Sequence, residues 1–211
     1  MSRTPGLQSH RARTRRLVVN AARASLPLDG SLTAQSIADI CAQAGLNAGA
    51  FRQLFPSEQA LLDAVHAVLV DECVQRLRSG VDQFATDSTD ESAIARAAVA
   101  IARSSPLDRT SLIIRSQRRV ASLRSAAGMA GVAEGEKMFV TALDGVFTDL
   151  FDKLHRRFSW PSGLAVRVIL NTYERSFETW LLRGADETRF FESAYVRKTL
   201  PTILAQVSAA S

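Results

Sequence analysis

Residues 41–57 read CAQAGLNAGAFRQLFPS. Apolar residues approach this stretch with helical spacing, stop at Ala44-Gly45-Leu46-Asn47, and resume at once. A chain that ends one short helix and restarts another within three residues fixes the angle between them. Gly45 supplies the left-handed residue that closes a helix, and Asn47 is a preferred cap for the next one, over 48–55. Pro56 disfavours helical geometry in the residue before it. Ser57 then caps a further helix from Glu58 to about Ser79, where Gly80 ends it. The expected product is a helix-turn-helix braced by a preceding helix.

That preceding helix is expected from about His10 to Leu26, stopped by Pro27 and Asp29-Gly30. The next starts after Ser36, where SIAD reads as a capping box between Ser36 and Asp39, and runs to about Gln43. Ile37, Ile40, Cys41, Leu46, Phe51, Leu54 and Phe55 form a small core. Ala48, Gly49, Arg52 and Gln53 face outward. Small residues beside Arg and Gln suit close approach to a groove, since Arg bridges a phosphate or guanine edge and Gln pairs with adenine. An ordinary helical hairpin explains the caps. It explains neither the exposed small residues nor the nearby arginines.

Charge sharpens this reading. The chain has a net charge of +5 over 211 residues, and residues 1–55 hold seven arginines against two acids. The remaining 19 basic and 19 acidic residues cancel. Excess positive charge confined to the first quarter points to a polyanion, either nucleic acid or an acidic membrane surface. The helix expected over about His10–Leu26 has the arginines but no Trp or Phe to anchor it in a membrane.

SIADICAQAGLNAGAFRQLFPSEQALLDAV resembles the DNA-binding segment of the tetracycline-repressor (TetR) family of bacterial transcriptional regulators, and TRRLVVNAARASL resembles that family's first helix. The resemblance covers about 50 residues at the N-terminus. It implies an all-α fold, with a three-helix DNA-binding domain over 1–56 and a larger helical effector-binding and dimerisation domain over 57–211. It implies DNA contacts from Arg13, Arg15 and Arg16, from Gln35 and Ser36, and from Asn47, Ala48, Gly49, Ala50, Arg52 and Gln53. The chain departs from the family where Lys is common at 48, Tyr at 52, His at 54 and Lys at 58. A TetR-like protein with weakened DNA binding, acting through protein partners, is the alternative that Ala48, Leu54 and Glu58 keep open.

The rest reads as helices with no sheet, because no stretch sustains two-residue alternation. Thr89 or Asp90 caps a helix through about Arg103, and another runs from about Leu107 to Arg124. AAGMAG at 126–131 is expected as a loop, followed by a helix from about Val132 to Phe158. The last two helices span about Leu164–Leu182 and Asp186–Val207, the second bending at Pro201. A reader with one short helix gains contacts by two-fold pairing at about 34 Å spacing. The resemblance implies a homodimer through the last two helices, with Leu164, Val168, Phe177, Trp180, Leu181, Tyr195 and Leu200 at the interface. Filling the monomer core competes for part of that set.

A helical domain joined to a reader head suggests ligand control, and the resemblance implies an apolar small-molecule effector that would reposition the helix beginning at Glu58. Phe139, Phe147, Met129, Met138 and Trp180 line a cavity in one reading and are plain core in the other. Gly145, mid-helix, reads as close helix packing or as room beside a pocket. His66 reads as packed, and Cys41 and Cys73 as small buried thiols in a reducing cytoplasm. No catalytic, metal or phosphate-loop motif appears. No enzyme activity, cofactor, metal or membrane span is expected.

Overall fold

The computed structural model describes residues 5–25, 33–85, 91–124 and 126–211. In chain order the helices are α1 Pro5–Ser25, α2 Ala34–Ala44, α3 Ala48–Leu54, α4 Glu58–Gln83, α5 Glu91–Ser104, α6 Arg109–Ser122 and α7 Ala126–Lys153. Strand β1, Arg156–Phe158, precedes α8, Ser162–Leu182. A 3₁₀ helix (Glu187–Glu192), a π-helical turn (Tyr195–Thr199), α9 (Leu200–Gln206) and β2 (Ser208–Ala210) complete the chain. The all-α expectation holds, with one correction: β1 and β2 pair antiparallel, Arg156 opposite Ala210 and Phe158 opposite Ser208. Three-residue strands are too short to show an alternating pattern. Arg156 holds them together, donating to the Ser208 hydroxyl at 2.8 Å and carbonyl at 2.7 Å.

Two compact units emerge, Met1–Leu69 with Ile113–Val132, and Val70–Leu112 with Ala133–Ser211. The domain boundary expected from the sequence lies at 56/57; compactness instead keeps 57–69 and 113–132 with the N-terminal segment. The core of unit 1 joins Val18, Val19 and Ala22 of α1 to Ile40 and Cys41 of α2. Phe51 of α3, Phe55 and Leu61, Leu62 and Val65 of α4 complete it with Ile114 of α6. Phe51 and Phe55 lie 5.7 Å apart between ring centroids. Buried Arg118 of α6 donates to Asp63 Oδ1 of α4 at 2.6 Å and to the Gly131 carbonyl of α7 at 3.4 Å. His66 is buried, as expected.

Unit 2 packs α5, α7, α8 and α9 around Ala97, Leu143, Phe151, Ile169 and Leu200. Its helix ends differ from the sequence reading for identifiable reasons. Gly80 lies inside α4, and a Cβ there would come within 2.5 Å of Ser104 Cβ. It lets α4 and α5 approach closely rather than ending the helix. The end of α4 is held by Lys153 Nζ, which donates to the carbonyls of Val81, Asp82 and Phe84 at 2.7, 2.9 and 3.2 Å. A cation on the last carbonyls opposes the negative end of the helix dipole. The 126–131 loop is instead the first turn and a half of α7. His155, at φ 52°, turns the chain out of α7 before residue 158. The final helix is broken into three pieces, with Ser193 in extended backbone between the first two. The caps expected at Thr89 and Asp90, and the stops at Pro27 and Asp29-Gly30, lie outside the described residues.

Candidate nucleic-acid interface

The α2–α3 turn is built as the residue types dictate. Gly45 adopts φ 65°, ψ 35°, the left-handed region where a Cβ is costly. Its N–H donates to Ala42 O at 3.2 Å, and Leu46 N–H donates to Cys41 O at 2.9 Å. These two bonds are the Schellman closure of a helix. Asn47 Oδ1 accepts from Ala50 N at 2.8 Å and starts α3. A Cβ at Gly49 would sit 3.3 Å from that oxygen, so glycine leaves the cap uncrowded. Phe55 leaves the helical region before Pro56, and Ser57 Oγ accepts from Ala60 N at 3.1 Å to cap α4.

One expectation at α2 fails. Ser36 is not the cap. Thr33 is, its Oγ1 accepting from Ser36 N at 3.1 Å and pairing with Ser36 Oγ at 2.8 Å. The helix starts at Ala34, so Ser36 falls in its first turn and is buried. Asp39 consequently has no cap to reach and instead accepts from Gln35 Nε2 at 2.8 Å. Thr33 was legible as the hydroxyl three residues before Ser36, but two hydroxyls at that spacing are equally good caps by sequence.

Of the residues expected at DNA, Ala48, Gly49, Arg52 and Gln53 are exposed on α3, Asn47 is exposed at its start, and Ala50 is half-buried. Arg13, Arg15 and Arg16 are exposed on α1, and Gln35 is exposed on α2. Arg15 is held over the Phe55 ring, 4.8 Å from its centroid. That contact ties the basic helix to the end of α3, and sequence reading had placed Phe55 only in the core. Gln43 Nε2 donates to Ser25 Oγ at 2.7 Å and fastens α2 to α1. Ser36, buried with its hydroxyl engaged, is the member of the set turned away from solvent. Unit 1 carries eleven arginines and four acids, because Arg115, Arg118, Arg119 and Arg124 join the N-terminal segment. Its formal charge is +7, against −2 for unit 2.

In unit 2, Leu164 is 52% exposed, while Val168, Trp180, Leu181 and Tyr195 are half-buried. Phe177 and Leu200 are enclosed by the unit's own core, which removes them from any surface available to a partner. Trp180 Nε1 donates to Asp186 O at 2.8 Å, and Tyr195 Oη to Thr172 Oγ1 at 3.1 Å. Of the two readings of the aromatic stripe, plain core holds and the cavity lining does not assemble. Phe139 and Phe147 are core, and Met129 and Met138 are exposed. Gly145 has open space, with no atom within 4 Å of a Cβ placed there. Among the described residues no group of His, Cys, Asp or Glu could hold a metal, and no helix is long and apolar enough to cross a membrane.

This arrangement of helices is the fold of the TetR-family transcriptional regulators. A protein from Mesorhizobium loti carrying a provisional TetR-family label superposes with a TM-score of 0.64 at 14% identity, over 95% of this chain and 98% of that one. A TetR transcription regulator from Haloarcula marismortui gives 0.60 at 15% identity, over 94% and 100%. The transcriptional regulator FadR from Bacillus subtilis, in complex with stearoyl-CoA, gives 0.58 at 17%, over 90% and 97%. No protein-family model and no curated protein matches the sequence.

Proposed function

We propose that this chain is a TetR-family transcriptional regulator, a ligand-responsive repressor that binds a palindromic operator as a homodimer. Residues 1–56 read the DNA, and residues 57–211 serve effector binding and dimerisation. The observation that carries the reading is α3. It is a seven-residue helix closed off by caps at both ends, and it exposes Ala48, Gly49, Arg52 and Gln53 on a unit of formal charge +7. Small side chains let a helix backbone approach base edges, Arg52 and Gln53 supply the readout, and the arginines of α1 supply phosphate contacts. Repression and dimerisation are what the sequence resemblance to the TetR family implies.

Selection from random duplex DNA at two salt concentrations tests the reading. A half-site repeated with two-fold symmetry is expected, and Arg52→Ala should weaken its binding about tenfold or more. Unselective recovery, with affinity for heparin equal to that for any duplex, would overturn it. A second reading has a specific observation behind it. Ala48 and Glu58 are both exposed, at positions where the family resemblance implies phosphate contacts, and one lacks a charge while the other repels phosphate. A TetR-like protein that acts through protein partners would then give no operator at either salt.

A further inference from the structure

Unit 2 contains a cavity of about 410 Å³ among α4, the α5–α6 connection, α8 and the 3₁₀ helix. This is within the range of small-molecule sites, toward its small end. On its aromatic side the half-buried Phe191 is the open ring, and the buried Tyr173, Phe177 and Phe190 stand behind the surface. The rings are set by mutual edge-to-face contacts, with Phe177 and Tyr173 centred 5.0 and 5.3 Å from Phe190. Such packing makes that side rigid, and Phe191 is the ring left open to a flat apolar group.

Four charged side chains line the same cavity: Arg76, Arg103, Asp108 and Glu187. Their formal charges cancel, but their surroundings differ. Asp108 Oδ1 accepts from Ser111 N at 2.7 Å, and Glu187 Oε2 accepts from Arg109 N at 3.0 Å. Both carboxylates are thus committed to the first turn of α6, whose free amides and positive dipole end offset their charge. The guanidiniums have no bonded acceptor of this kind; Arg103 lies in the last turn of α5, whose negative dipole end offsets part of its charge. Arg103 lies over the Phe191 ring at 4.8 Å, and among the described residues neither it nor Arg76 has a carboxylate partner. The cavity thus holds two guanidiniums without carboxylate partners, beside Phe191, while its two carboxylates are engaged by backbone amides. Buried Tyr173 adds a neutral phenol at the boundary of the two regions, its hydroxyl 3.5 Å from the Ala102 carbonyl.

The geometry points to a binding site for an aryl carboxylate, with its ring against Phe191 and its carboxylate between Arg76 and Arg103. This names the effector class of the regulator reading and rests on that reading only for its biological role. The site differs from the apolar lining expected from the sequence in both place and chemistry. A carboxylate between two guanidiniums gains charge-assisted hydrogen bonds that an alcohol of the same shape does not.

Calorimetry on the full chain without DNA tests it, using 3-phenylpropionate, phenylacetate and 2-naphthoate against 3-phenylpropanol. At least one acid is expected to bind at about millimolar affinity or tighter, at least tenfold better than the alcohol. Arg76→Gln and Arg103→Gln should each weaken the acid about tenfold while leaving the alcohol unchanged. Melting curves of both variants establish that they remain folded, and exposed Arg76 serves as the test should Arg103→Gln disturb Phe191. Equal affinity for acid and alcohol overturns the proposal. So does acid binding that survives the double substitution, or no acid binding at all. Because no DNA is present, any of these outcomes leaves the DNA-binding reading standing, and a protein that binds no operator can still bind the acid.

Discussion

Removing either partner of the Arg118–Asp63 pair should have sharply unequal effects. The Arg118 side chain is 6% exposed and that of Asp63 is 44% exposed. Asp63→Ala strands a buried guanidinium whose remaining described acceptor is the Gly131 carbonyl at 3.4 Å. An uncompensated buried charge costs about 3–5 kcal/mol. Here the carboxylate side is partly solvated, so about 2–3 kcal/mol is expected after allowing for screening. Arg118→Met removes the charge and fills the same space with an apolar chain. Asp63 is then left half-exposed, hydrated, and still accepting from Gln59 Nε2 at 3.0 Å. That substitution should cost about 1 kcal/mol or less. The double variant should match Arg118→Met alone, giving a coupling energy of about 2 kcal/mol. Urea unfolding followed by circular dichroism measures all three, and melting temperatures should fall by about 2–4 °C per kcal/mol. If Arg118→Met proves as damaging as Asp63→Ala, the asymmetry of burial is not what sets the energies, and the argument fails.

Two glycines should respond in opposite directions. Gly80→Ala places a methyl 1.9 Å from Ser104 Oγ and should lose about 1–3 kcal/mol to overpacking, relieved by Ser104→Gly. Gly145→Ala meets nothing and should gain about 1 kcal/mol from helix propensity; a loss instead would show that a partner outside the chain occupies that face. Lys153→Met removes three donors from the end of α4 and should cost about 1.5–3 kcal/mol, with faster amide exchange confined to the last turn of that helix. The two tyrosines supply a pH test. Burial raises the phenol pKa of Tyr173 and of Tyr195 above the ordinary value near 10. The folded state thus holds both protons longer than the unfolded state, and this contribution, full below pH 10, is lost as pH rises above it. Tyrosinate absorbance should appear with unfolding and not before; a native protein titrating near pH 10 would contradict the burial.

How much of this was legible in the sequence varied with range. Gly45, Asn47, Pro56 and Ser57 act within four residues of themselves, through backbone conformation and a single cap bond, and each does what its residue type implies. The core of α2 and α3 followed from apolar spacing alone. The end of α4 did not, because Lys153 is 69 residues beyond Phe84 and nothing local marks the pairing. Gly80 was misread for the same reason: a close approach to Ser104 and a helix stop look identical in one dimension. The cavity lining was missed because amphipathic stripes identify buried aromatics without showing which of them face empty space.

The sequence by itself determined the helical class, the turn that presents α3 and the basic bias of the N-terminal segment, since these depend on backbone torsion, periodicity and charge. Tertiary structure decided that the four arginines of 115–124 join the N-terminal unit, that Phe177 and Leu200 are core, and that two guanidiniums share a cavity with four aromatic rings. Those outcomes depend on which distant side chains meet, and a side chain's solvation and partners are set only when the helices pack.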